Sequence, residues 1–278
     1  MPEFKTSDNL RLWYEDQGEG DPDTPPILCL SGLTRNSTDF DYVLPYLLGE
    51  HRVIRLDYRG RGKSQRAPDW RTYTIPTEAR DVLELLAHME LDRVAILGTS
   101  RGGLIAMSLA LMAKARLAGV ALVDIGPELA PEGLEVIADY IGQPPEARTL
   151  EEAALMRAAL IDGFANVPAD RWRQEAEKHY RDTGDGLALT YDVKLRDAVL
   201  EAGAQPVPDL WPLFDAMAGL PLACIRGVNS NLLTEATLTQ MARRRPDMIV
   251  AQVPDRGHVP FLDEAEALEA LNEWTMLL

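Results

Sequence analysis

Short apolar runs alternate along this chain with longer segments of helical period. Leu10 to Tyr14, Ile27 to Leu30, Arg52 to Leu56, Val94 to Leu97, Val120 to Val123, Leu222 to Arg226 and Met248 to Val253 read as strands. Their centres are continuously apolar, as expected of strands buried on both faces, so the pattern predicts an α/β fold with a mostly parallel sheet covered by helices. Pro76 marks the entry to a helix over Thr77 to Met89, whose Val82, Leu85, Leu86 and Met89 form one stripe. Leu104 to Leu111 reads as a buried helix, and Glu264 to Leu277 as an amphipathic one that packs on the sheet or pairs with another subunit.

The sheet pattern stops after Asp124. From residue 131 to 212 the chain turns polar and helical, with helices expected over Glu151 to Leu160, Arg171 to Arg181 and Val193 to Ala202. An insertion here sits above the carboxyl ends of the strands, where open sheets place ligands, so it is expected to form a lid. The expected division is a core of residues 1–130 and 213–278 and a lid of 131–212. Trp172, Tyr191, Trp211 and Phe214 are candidate pocket residues, although packing is the commoner role for any one aromatic side chain. Asp57 to Ser64 is glycine-rich but lacks both the G-x-G-x-x-G spacing and a complete P-loop, so it reads as a structural turn.

The chain has 278 residues, enough for one large α/β domain with an insertion. Its 28 basic and 44 acidic residues give a net charge of −16, which argues against nucleic acid and anionic membranes as partners. The start, Met1 to Lys5, shows no secretory signal, and no apolar stretch reaches the length of a membrane span. A cytoplasmic protein acting on a small molecule is expected, with oligomeric state open. Cys29 and Cys224 fall within apolar strands; adjacent strands would bring them close, and a buried reduced pair is the expectation. No metal-binding spacing occurs, and neither a metal nor another cofactor is expected.

Candidate chemistry centres on Gly98-Thr99-Ser100-Arg101-Gly102, between a strand and a helix. In the G-x-S-x-G turn the serine occupies a strained position, and its neighbours two residues away must be nearly free of side chain. The backbone N–H of Arg101 and that of Leu33, in the loop Ser31-Gly32-Leu33-Thr34, are the expected donors to an oxyanion. His258, which follows Gly257 in a loop after the last strand, is the expected base. An unperturbed imidazole titrates near pH ~6.5 and can move the serine proton near neutrality. His51, His88 and His179 read as surface or helix residues, and Arg35 and Arg101 as mainly exposed, although either could meet a substrate carboxylate.

Together, Ser31 to Ser37, Leu56 to Ser64, Gly98 to Gly103, Asp124 to Glu128 and Gly257 to Pro260 resemble the α/β-hydrolase superfamily, in particular bacterial lid-containing serine hydrolases and esterases. The resemblance covers nearly the whole chain. It implies an eight-stranded sheet, Ser100 as nucleophile, His258 as base, Leu33 and Arg101 as oxyanion donors, and no cofactor. The family usually places its acid in R-G-x-x-S-D-x-L, whereas this chain reads Arg226-Gly227-Val228-Asn229-Ser230-Asn231-Leu232-Leu233.

The leading account is a weakened enzyme with Asn231 at the acid position, in which restoring aspartate raises turnover by at least about 10²-fold. A second account supplies the acid from Asp124, with Glu128 a poorer choice, and a third assigns serine and histidine a less demanding task than ester hydrolysis. Hydrolysis of a small ester or lactone is the expected activity. A carbon–carbon bond hydrolase and a non-catalytic small-molecule receptor are the alternatives.

Overall fold

In the computed structural model, residues 2–206 and 208–278 are described. The strands are β1 (Glu3–Lys5), β2 (Arg11–Gln17), β3 (Ile27–Leu30), β4 (Val53–Leu56), β5 (Val94–Thr99), β6 (Leu117–Val123), β7 (Tyr180–Asp182), β8 (Leu187–Leu189), β9 (Leu222–Gly227) and β10 (Ile249–Val253). The α-helices are α1 (Leu44–Leu47), α2 (Ile75–His88), α3 (Arg101–Ala113), α4 (Pro131–Tyr140), α5 (Leu150–Leu160), α6 (Ala169–His179), α7 (Leu195–Gly203), α8 (Trp211–Asp215), α9 (Glu235–Arg244) and α10 (Ala265–Thr275).

Eight strands form one sheet in the order β1-β2-β4-β3-β5-β6-β9-β10, parallel from β4 to β10 and antiparallel at the β1-β2 edge. Strand periodicity divides the apolar runs between the two faces. Leu28, Leu30, Ile96, Leu122 and Cys224 pack with α2, α3 and α9 on one side. Ile27, Cys29, Leu97, Val123 and Ile225 pack with α1 and α10 on the other. The C-terminal helix therefore seals the sheet, with Trp274 fully buried in that second layer. The cysteines are free and buried, but they are not neighbours: β5 and β6 separate their strands, and they face opposite layers.

Local signals fix several helix starts. Thr74, Thr149 and Thr234 each accept a hydrogen bond from the backbone N–H three residues on, capping α2, α5 and α9. Such caps contribute about 1 kcal/mol each. The segment expected as a helix to Arg181 ends at His179 and continues as β7, which pairs with β8. The Tyr180 to Asp182 pairing satisfies backbone groups that one more helical turn would have used. Helix α4, absent from the expectation, adds to the lid-like helical region, whereas short α8, also not expected, packs its buried Phe214 into the core beside α3. Among the described residues, no helix is long and apolar enough to cross a membrane.

Candidate active site

Strand β5 runs into Ser100, whose φ of 49° and ψ of −111° place it in a strained region before α3 begins. Such a conformation costs about 1–3 kcal/mol and persists only where its surroundings enforce it. Here they do. A Cβ on Gly98 would lie 2.7 Å from the Gly102 carbonyl carbon, and one on Gly102 only 2.0 Å from the Leu30 carbonyl oxygen. The chain thus folds back onto itself and onto the end of β3. The Ser100 N–H donates to Val123 at 2.9 Å, tying the bend to β6.

His258, in the loop between β10 and α10, has Nε2 3.0 Å from Ser100 Oγ. Its Nδ1 lies 2.7 Å from Asp124 Oδ2. Asp124 is fully buried one residue beyond β6, with φ of 52°. Its Oδ1 accepts from the Gly227 N–H at 2.8 Å, and its Oδ2 also accepts from Ser230 Oγ at 2.5 Å. Both carboxylate oxygens are satisfied, as a buried acid requires.

The structure brings Ser100, His258 and Asp124 into one hydrogen-bonded row and leaves Asn231 outside it. This corrects the expectation that Asn231 stands at the imidazole. Strands β6 and β9 are adjacent and in register, with Val123 opposite Ile225, so the exits of both strands reach the same place. Ser230 N–H turns back to the Gly227 carbonyl at 2.9 Å, which sends Asn231 outward to an exposed position beside Gly133 at the start of α4. Glu128 is engaged elsewhere, accepting from Trp211 Nε1 at 2.7 Å.

The loops after β9 and β10, the second of which carries His258, are both held by the lid-like region. Asn229 Nδ2 donates to the Gly163 carbonyl at 2.9 Å, and the Ala165 N–H donates to Asp255 at 3.1 Å. Phe164, Trp172 and Phe261 form an aromatic cluster with ring centroids 5.5–6.4 Å apart. Trp172 therefore backs the histidine loop. The other expected pocket residues also occupy packed positions: Phe214 is fully buried in the core, Trp211 is bonded to Glu128, and the Tyr191 hydroxyl accepts from the Gly142 N–H at 3.0 Å.

On the opposite side of Ser100 lies the loop of Gly32 and Leu33; a Cβ on Gly32 would sit 3.9 Å from the serine Cβ. Arg101 is the first residue of α3, where a helix leaves N–H groups without intrahelical acceptors. Neither Arg35 nor Arg101 has the mainly exposed side chain expected. Arg101 Nε donates to Glu78 Oε2 at 2.5 Å, and Arg61 Nη1 donates to Glu78 Oε1 at 2.7 Å. Arg61 Nε also donates to the Leu33 carbonyl at 2.9 Å. Burial raises the Glu78 pKa, but the Arg101 and Arg61 charges outweigh it and hold the carboxyl below its ordinary value. Arg35 binds Asp39 and Glu175, and contacts His179, whose pKa burial and the Arg157 and Arg35 charges drive well down.

Glu78 and Arg61 were not singled out from sequence. A signal existed: Glu78 stands four residues before Val82 on the apolar stripe of α2, a charged group where the pattern calls for an apolar one. Among the described residues, no group of three or more His, Cys, Asp or Glu is placed to hold a metal ion.

A family model described as the alpha/beta hydrolase fold matches residues 25–265. A 3-hydroxybutyrate-oligomer hydrolase of Cupriavidus necator is 37% identical over 92% of this chain and 90% of its own length. A 2-(acetamidomethylene)succinate hydrolase of Mesorhizobium japonicum is 25% identical over 90% of this chain and 85% of its own. A solved α/β hydrolase of Novosphingobium aromaticivorans superposes with a TM-score of 0.92 at 37% identity, covering 99% of this chain and 97% of that one.

Proposed function

Because this chain belongs to the α/β-hydrolase fold family, we propose that it is a serine hydrolase cleaving small carboxylic esters by acyl transfer. The observation that carries this reading is the row Ser100 Oγ, His258 Nε2 and Nδ1, and Asp124 Oδ2, at 3.0 and 2.7 Å. Ser100 Oγ attacks the ester carbonyl as its proton passes to His258 Nε2, and the carbonyl electron pair moves onto oxygen. The Leu33 and Arg101 N–H groups hold that oxyanion. Collapse expels the alcohol, which takes the proton from His258, and water then releases the acid by the same steps in reverse. Asp124 keeps Nδ1–H oriented and stabilises the imidazolium. A small-molecule receptor would need none of this arrangement.

Similarity to the Cupriavidus relative directs the substrate reading to short linear esters of hydroxy acids, which carry a free carboxylate at one end. Arg157, on α5, is our candidate for that end. Its Nε is buried without a hydrogen-bond partner among the described residues. Its acidic neighbour, Glu175 at 3.8 Å, already binds Arg35 at 2.9 Å and the Tyr42 hydroxyl at 3.1 Å. Burial and the Arg35 charge push the Arg157 pKa down, as expected of a cation short of counter-charge.

The test is hydrolysis of the linear 3-hydroxybutyrate dimer together with an organophosphonate label. The reading expects dimer cleavage and a single adduct on Ser100 by intact mass; absence of any adduct across the pH range would sink it. Arg157→Met should raise KM for the dimer about tenfold, with little change for its methyl ester, because only the free acid uses the cation. Equal effects on both substrates would remove Arg157 from the site.

A further inference from the structure

We propose that Arg61 and Glu78 are positioning residues for the oxyanion hole: a buried guanidinium and a buried carboxylate tie the Leu33 loop to the start of α3, holding both backbone donors at one spacing. This rests on the reading of the Leu33 and Arg101 N–H groups as oxyanion donors.

The two donors come from separate parts of the chain, after β3 and after β5, and nothing in local sequence fixes their distance. Arg61, after β4, supplies the link. One edge of its guanidinium holds the Leu33 carbonyl through Nε at 2.9 Å, while Nη1 reaches Glu78 Oε1 at 2.7 Å and the Arg59 carbonyl at 2.8 Å. Glu78, on α2, carries the link across to Arg101 Nε at 2.5 Å, and Arg101 Nη2 continues to the Tyr73 carbonyl at 3.1 Å. Arg61 and Glu78 are both fully buried, so water does not loosen the chain of bonds. A planar fork bonded along two edges fixes orientation in a way that a lysine ammonium does not.

Charge adds to geometry. Arg61 and Arg101 share one acid, leaving the cluster one positive charge in excess. Arg61 Nη2 has no hydrogen-bond partner among the described residues, and the guanidinium carbon lies 5.6 and 5.5 Å from the ring centroids of Tyr58 and Tyr73. An uncompensated positive charge in a low-dielectric setting favours negative charge developing nearby, as happens on the carbonyl oxygen in the transition state.

The same loop also seats the lid-like region. Arg61 forms a backbone bridge with Tyr191, Gly62 N–H donates to Thr190 at 2.8 Å, and Asp192 N–H donates to Gly60 at 2.7 Å. Arg61 thus joins lid and oxyanion loop through its backbone and its side chain respectively.

Stability alone would also explain a buried ion pair, so the test reads transition-state binding. Arg61→Lys keeps the charge and loses the fork. In the folded variant, kcat should fall about 10²-fold with KM within about twofold. A trifluoromethyl ketone isostere of the substrate reports the same geometry. Its carbonyl carbon bonds to Ser100 Oγ, the serine proton goes to His258, and the carbonyl electron pair becomes the oxyanion. Its affinity should fall by the same factor as kcat/KM, while the affinity of the product acid holds.

An unchanged kcat with unchanged ketone affinity would overturn the proposal, as would a rise in KM alone. If Arg61→Lys does not fold, the double variant Arg61→Met with Glu78→Leu removes both partners together and is judged by the same criteria. Loss of the fold in both would assign the pair to stability alone and overturn the proposal. A Ser100→Ala protein with full turnover would instead defeat the serine hydrolase reading beneath it.

Discussion

Replacing Ser100 by alanine should lower kcat for an ester substrate by about 10⁶-fold while leaving thermal stability equal or slightly higher. On the proposed serine hydrolase mechanism the first effect follows from removal of the attacking oxygen; where nucleophile and base act as a unit, loss of the serine abolishes nearly all acceleration by the set. The second follows from the backbone. Ser100 holds its positive φ because Gly98 and Gly102 permit the bend, not because its hydroxyl stabilises it, so the strain is unchanged when the hydroxyl goes. Product formation over long incubations and a melting curve measure the two effects. Residual turnover within tenfold of the parent would place the chemistry on another group.

Asp124→Asn should cost about 10⁴-fold in kcat, with KM little changed. The amide can still meet His258 Nδ1, but it presents either an oxygen with no full charge or a donor that favours the wrong tautomer. A second consequence is local to this chain. Asp124 Oδ1 and Oδ2 accept from the Gly227 N–H and Ser230 Oγ, so an amide nitrogen turned toward either would face a donor. Asn231→Asp is the control, and its expected effect on kcat is less than twofold, because the exposed position 231 is turned away from the imidazole. A gain of 10²-fold in that control, or loss of less than tenfold in Asp124→Asn, would return the acid to position 231.

That reversal shows where sequence reading runs out. The motif around residue 231 was legible, and so was its departure from the family pattern. What decides which carboxylate reaches the imidazole is the distance between two strand exits that lie 103 residues apart in sequence, Asp124 and Gly227, hydrogen-bonded at 2.8 Å. Ser230 shows the same point. Its hydroxyl completes the Asp124 carboxylate, and Asn231 beside it faces solvent.

The chain by itself determined the parallel sheet, the bend at Ser100 and the loop that carries His258. Each is written in short-range terms: continuous apolar runs, glycines two residues on either side of a serine, a glycine before a histidine. Tertiary structure alone decided which carboxylate meets the imidazole, that four aromatic candidates are packed, and that Arg61, Glu78 and Arg101 form one buried cluster. Those outcomes depend on which strands lie side by side and which charges must find partners once water is excluded. Neither condition exists until the sheet has assembled.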